Sequence, residues 1–307
     1  MPGWVPFTGL TIGVLFLLLG LARLSQGVVT ESPPELPAGD ETAGQTTAVT
    51  DRPDEGSSAT DGGAASEAVT AIERADGVES APAPNGDEAD EGTEPWEADP
   101  VEPPEQGEFT TGALLANVAF TQGLFGAAIA VGAWYYEIPA AALGIAAEPM
   151  QTGLLAVAIG VAFGVALWLA NEATAAVADA VGAAYDESLR EMLTPDTAGG
   201  WVLLLGVILP LIAVVEELIF RAALIGVPAA GFDISPWALA IFSSAMFAFG
   251  HGAQGRAGIV VTGGLGFVLA GGYILSGSLL VVVIAHYLVN ALEFVVHEGL
   301  GTDRLFV

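Results

Sequence analysis

Hydrophobic residues in this chain gather into long runs separated by polar stretches. The first run, WVPFTGLTIGVLFLLLGLA from Trp4 to Ala22, carries no charge. It is long enough to cross a hydrocarbon core of about 30 Å as a helix. No basic segment precedes it and no small-x-small site directly follows it, so the pattern predicts a retained anchor rather than a cleaved signal peptide. Apolar runs return at about Gly112 to Tyr136, Leu154 to Ala170, Trp201 to Val227, Pro236 to Gly250, Gly258 to Leu275 and Ser278 to Val296. Several are of spanning length, with the frequent Gly and Pro that membrane helices tolerate. The Leu154 and Pro236 runs are short and can extend by a turn into their flanks. Between them, Asn171 to Leu193 alternates Ala and Val with Asn171, Glu172, Asp179, Asp186, Glu187 and Arg190. That segment reads as an interfacial helix or as the watery end of the preceding span.

The expected fold is therefore all-α: a polytopic membrane helix bundle with an N-terminal anchor helix and a disordered acidic linker. No internal repeat is evident, so the inverted-repeat signature of secondary transporters is missing.

Composition sharpens this picture because its two main features conflict. The chain is 53% hydrophobic with mean hydropathy +0.61, yet its formal net charge is -29. Segregation resolves the conflict, since 22 of the 36 acidic residues fall within residues 29–108. That stretch is otherwise Pro, Gly, Ala, Ser and Thr with almost no aliphatic cluster. It cannot bury enough apolar area to offset its ordering entropy, which predicts a disordered tether.

All seven basic residues are arginine, there is no lysine, and the isoelectric point is near 4.1. An acidic surface of this kind keeps a protein soluble in a very salty cytoplasm, so the expected setting is the plasma membrane of a halophilic prokaryote. No nucleic-acid partner is expected. Zero cysteine excludes disulfides, thiolate metal sites, a thiol nucleophile and a prenylated C-terminus on this chain. If the helix from Trp201 starts on one side, then Arg190, Arg256 and Arg304 all fall on that side, which the positive-inside rule makes cytoplasmic.

The charges inside the apolar runs carry the chemistry. VVEELIFR, from Val214 to Arg221, places two glutamates and an arginine in a spanning helix. Ionisable groups there are costly and normally face the protein interior with a partner. Glu217 and Arg221 are four apart with the glutamate first, the favourable order for an intrahelical ion pair. Glu216 is rotated by about 100° and needs another partner. Candidates are His251, which closes FAFGH behind Phe247, and His286 with Asn290 in HYLVN, which share a helix face. At about 1.5 Å of rise per residue, Glu216, His251, His286 and Asn290 lie within one layer roughly 8 Å thick. Each feature alone has a plainer reading: a packing histidine, a structural ion pair, or, for Gly263, Gly264, Gly266, Gly271 and Gly272, close helix contact. The coincidence of depth is what sets the polar group apart.

The three segments in this order, EExxxR, FxxxH and HxxxN on successive helices, resemble the CPBP family of CAAX-processing and bacteriocin-processing intramembrane endopeptidases, also called Abi proteins. The likeness covers about Trp201 to Val296. It implies peptide-bond hydrolysis within the bilayer. Glu216 matches the family's general base and His251 the residue that helps it bind and activate water. His286 and Asn290 match the pair that stabilises the tetrahedral oxyanion. Glu217, Arg221 and Phe247 match supporting positions. On this reading the chain divides into an anchor over 1–28, the linker over 29–108, a CPBP-type protease domain over 109–300 and a tail over 301–307.

The resemblance leaves metal use open. Glu216, His251 and His286 would form a His2Glu zinc set with water in the open position, but no HExxH helix is present and no cofactor is the favoured expectation. The expected partners are the lipid bilayer and a membrane-associated peptide or protein substrate, with prenylated C-terminal peptides as the best-known class. The alternatives are a non-catalytic scaffold or immunity-like peptide-binding protein and an ion-coupled transporter.

Overall fold

The computed structural model describes residues 1–30, 111–180, 182, 188–252 and 255–302. Nearly all of the expected linker and tail lies outside the described residues, as do Arg304 and the side chain of Arg256. Among the described residues all regular structure is helical, and six helices are long and apolar enough to cross a membrane. The protein is an all-α polytopic membrane bundle.

The N-terminal run forms α1 (Trp4–Thr30), and α2 spans Thr111–Tyr135. After a short 3-10 turn come α3 (Pro149–Thr152), α4 (Leu154–Ala180) and α5 (Ser188–Leu193). The next span is a composite helix of α6 (Ala198–Leu203), α7 (Leu209–Glu217) and α8 (Val227–Phe232), joined by π-helical stretches at Leu204–Ile208 and Leu218–Gly226. Each stretch runs into a proline, Pro210 or Pro228. Proline has no N–H for the carbonyl four residues back, so the helix widens where that bond is lost. Ser243 donates its hydroxyl to the Phe220 carbonyl within the second stretch. Finally α9 (Pro236–Gly250), α10 (Gly255–Ser276) and α11 (Leu279–Glu293) follow, and α11 continues as a π-helical turn over Phe294–Gly299.

The amphipathic segment resolves in favour of one expected option over its first half: Asn171 to Ala180 continues α4 rather than lying along the interface. Its polar residues include Glu172, which is fully buried. The short Pro236 run stays short as the 15-residue α9.

Large apolar side chains face outward, among them Leu154, Leu275 and Trp134 at 88%, 80% and 79% exposure. Such a surface suits lipid and would be costly in water. Inside, α11 packs against α4, α7 and α10. Small residues permit the closest of these approaches: a Cβ added at Gly164 would lie 2.9 Å from the Ala285 Cα. Helix association in lipid depends on this kind of backbone proximity. The first helix also joins the packing, burying Phe7, Thr11 and Leu15 while Gly3 donates its N–H to the Tyr136 carbonyl at 2.7 Å. The bundle thus brings the end of α7, the end of α9 and the middle of α11 together on one interior space.

Candidate active site

Glu216 and Glu217 are adjacent on α7, so the helix turns them in different directions, and they play different parts. Glu217 is fully buried and points into a dry network. Its Oε1 accepts from Arg221 Nη1 at 2.9 Å and lies 2.8 Å from His286 Nδ1. The expected intrahelical pair is therefore present, and it has a third member on α11. Arg221, 1% exposed, also donates through Nη2 to the Gly266 carbonyl at 3.0 Å. The guanidinium carbon sits 4.8 Å from the centroid of the Phe247 ring, a cation–π contact. A side chain at Gly266 would intrude here, because a Cβ would come within 3.0 Å of Phe247.

Glu216 faces the other way, into a cavity of about 380 Å³. His251, Phe247, His286 and Asn290 line the same cavity. The structure thus brings together the four residues that the motifs singled out, with Phe247 beside them. Glu217 and Arg221 do not line it and stand behind. His286 links the two glutamates: its Nδ1 is bound to Glu217 while its Nε2 is 3.7 Å from Glu216 Oε2. Glu216 Oε2 is buried and makes no hydrogen bond to the protein, whereas Oε1 accepts from Gln122 Nε2 at 3.4 Å.

His251 sits just past the end of α9, where its backbone N–H bonds to the Ala248 carbonyl. Its ring folds back so that Nδ1 is 2.9 Å from the Phe247 carbonyl. A carbonyl only accepts, so Nδ1 carries the hydrogen and Nε2 of the neutral ring is left as an acceptor. The Phe247 ring packs against it with centroids 4.5 Å apart.

Sequence patterns missed other residues lining this cavity. Gln122 comes from α2, Asn171 from α4, Arg190 from α5, and Glu293 from the end of α11. The last three belong to a second charged network. Asn171 Nδ2 donates to Glu293 Oε1 at 2.7 Å, and Arg190 bonds Glu293 Oε2 at 3.3 Å and Glu298 Oε1 at 2.9 Å. His297 Nε2 lies 2.8 Å from Glu172 Oε1. The available signal was the polar face of Asn171 to Arg190, which names no partner.

The zinc set expected as an alternative can be tested on this geometry. Glu216 Oε2 and His286 Nε2, at 3.7 Å, have a spacing that two ligands of one ion can adopt. Among the described residues, however, the group of three whose ligand atoms all lie within 4.8 Å is Glu172, Glu293 and His297, not Glu216, His251 and His286. The expected set does not fit a closed three-ligand site as arranged.

Residues 198–292 match the family model described as type II CAAX prenyl endopeptidase Rce1-like. No curated protein and no solved structure matches the chain. The matched range runs from the start of α6 almost to the end of α11 and includes all three motifs. This stretch is similar to the Rce1-like endopeptidases, which agrees with the resemblance of its three motifs to the CPBP family.

Proposed function

We propose that this protein is an intramembrane endopeptidase that hydrolyses a peptide bond of a prenylated or otherwise lipid-anchored substrate, with Glu216 as general base and no cofactor required. The observation that carries this reading is the convergence of Glu216, His251, His286 and Asn290 on one cavity, where Glu216 Oε2 is buried without a hydrogen bond. A substrate anchored in lipid reaches such a cavity without leaving the bilayer. Residues 109–300 would form the catalytic domain, with 1–28 as an anchor and 29–108 as a linker.

Water held on Glu216 Oε2, in the cavity that His251 also lines, attacks the scissile carbonyl carbon. One proton passes to the Glu216 carboxylate as the C–O bond forms and the carbonyl electron pair moves onto oxygen. His286 Nε2, when protonated, and the Asn290 amide donate to that oxyanion. Glu217 holds the His286 ring by Nδ1, so that Nε2 is the nitrogen turned towards the site. When the C–N bond breaks, Glu216 returns its proton to the leaving amine, giving an acid and an amine from peptide and water.

The test is cleavage and binding of a lipid-anchored peptide in proteoliposomes by wild type and Glu216→Gln. Glutamine keeps the size and polarity but cannot take the proton, so turnover should fall by about three to four orders of magnitude while binding persists. Wild-type turnover by Glu216→Gln would end this reading. Binding without cleavage by the wild type would favour a scaffold.

A further inference from the structure

Resting on the hydrolytic reading of this cavity, we propose that Gln122 of α2 is a positioning residue whose side-chain oxygen, together with Glu216 Oε2, holds and orients the attacking water. Gln122 Nε2 donates to Glu216 Oε1 at 3.4 Å. Turning the amide over would set its oxygen against a carboxylate oxygen, so the charge of Glu216 fixes which end faces it. Gln122 Oε1 is then directed elsewhere, and it is buried with no protein partner. Glu216 Oε2 is likewise buried without a hydrogen bond, its nearest polar contact being His286 Nε2 at 3.7 Å. Both residues line the same cavity, and each orphaned acceptor is one covalent group removed from the 3.4 Å contact.

Buried acceptors in folded proteins have donors. Two of them on hydrogen-bonded residues that line one cavity make a water site, since a water needs two to four polar partners and about 30 Å³. The cavity of about 380 Å³ holds such a water with room for a peptide segment beside it. Water is also the ligand that matches the geometry chemically. It has two hydrogens, one for each acceptor, and when both are engaged its lone pairs turn away from them towards the open cavity. That is the orientation a nucleophile needs before a carbonyl carbon approaches. The hydrogen on Glu216 Oε2 is the one transferred in the attack, while the other stays on the new hydroxyl against Gln122 Oε1. Atoms and charge balance as in the hydrolysis above.

The remaining polar groups of this part of α2 do not compete for the role. Thr121 Oγ1 is committed to the Asn117 carbonyl at 2.7 Å on the exposed side. Val118, one turn before Gln122, completes the cavity wall. Gln122 also lies outside residues 198–292, so the part of the chain that matches the protease family does not supply it.

The experiment uses the full chain in proteoliposomes with a lipid-anchored peptide, comparing wild type, Gln122→Met and Glu216→Gln, beside a high-resolution structure of the wild type. Methionine keeps the length of the side chain but has neither amide group. The expected result is a fall in kcat of about ten- to a hundredfold with KM nearly unchanged, since a misplaced nucleophile costs rate rather than binding. The melting temperature should stay within a few degrees, and water density should appear within hydrogen-bond distance of both Gln122 Oε1 and Glu216 Oε2. Wild-type kcat in Gln122→Met beside an inactive Glu216→Gln would overturn the role of Gln122 and leave the hydrolytic reading standing. Density at the site in a protein that cleaves nothing would uphold the water site and overturn hydrolysis. No density there overturns the proposal whatever the kinetics, including a case where Gln122→Met fails to fold.

Discussion

The Glu217–Arg221–His286 network and the Asn171–Arg190–Glu293–Glu298 network border the same cavity, one from the dry interior and the other from a wetter flank. In the first, Arg221 and Glu217 are 1% and 0% exposed at the side chain. In the second, Arg190, Glu293 and Glu298 are 17%, 12% and 18% exposed. The first is built on an ion pair within one helix, to which α11 adds His286. The second is assembled from α4, α5 and the end of α11, with Asn171 and Arg190 reaching Glu293 and Glu298 from other helices. Burial decides how firmly each must be kept intact. A charge with almost no access to water has no substitute for its partner, whereas a part-exposed charge can turn to solvent. The dry network therefore serves as a fixed frame for His286, and the wetter one tolerates loss.

The largest expected effect breaks the dry network. Arg221→Leu leaves Glu217 buried and short of a cation, and should lower stability by about 3–5 kcal/mol, read by denaturant or thermal unfolding in detergent. Adding Glu217→Gln should recover part of that stability. It should not recover turnover, because the group that holds His286 Nδ1 has been weakened. If the double variant is no more stable than the single one, Arg221 depends on another partner and the network is drawn wrongly.

Next comes Asn290→Ala; the Asn290 side chain is hydrogen-bonded to neither network, so the change separates catalysis from framework. Losing one oxyanion donor should lower turnover by about two to three orders of magnitude, close to 3–4 kcal/mol in the barrier. Its melting curve should overlay the wild type's. A shift in melting as large as that of Arg221→Leu would mean that Asn290 belongs to the frame.

What was legible in the sequence follows the same division. Glu217 and Arg221 could be paired from spacing alone, because the helix repeat puts residues four apart side by side. The shared layer of Glu216, His251, His286 and Asn290 followed from helix rise and the ends of the apolar runs. The link from Glu217 to His286 did not, since nothing in either segment sets how α7 and α11 are rotated against each other. Asn171 and Glu172 misled in a different way. A polar face on a helix looks the same whether it meets water or buried partners, and here Glu172 is fully buried against His297. Gln122 was a lone amide in an apolar run, and only packing shows that it meets Glu216.

Arg190→Met probes the wetter network directly. The substitution removes bonds to Glu293 and Glu298 but leaves both carboxylates within reach of water, so the stability loss should be about 1–2 kcal/mol. Turnover should change less than in Asn290→Ala, and the comparison with Arg221→Leu is made by the same unfolding assay. A loss matching that of Arg221→Leu would contradict the assignment of this network as tolerant.

The smallest effect is also the one that separates the two networks without changing their burial. Salt screens exposed charges over a Debye length of about 8 Å at physiological ionic strength and about 3 Å at 1 M, but has little hold on a pair sealed from water. Raising salt from 0.1 to 1 M should shrink the stability gap between wild type and Arg190→Met by a few tenths of a kcal/mol, roughly. The gap between wild type and Arg221→Leu should stay constant, because no ion reaches Glu217. Measuring both gaps across the same salt series cancels any general effect of salt on the detergent or the fold. Equal shrinkage of the two gaps would show that water and ions reach Arg221, and the dry frame assigned to His286 would have to be given up.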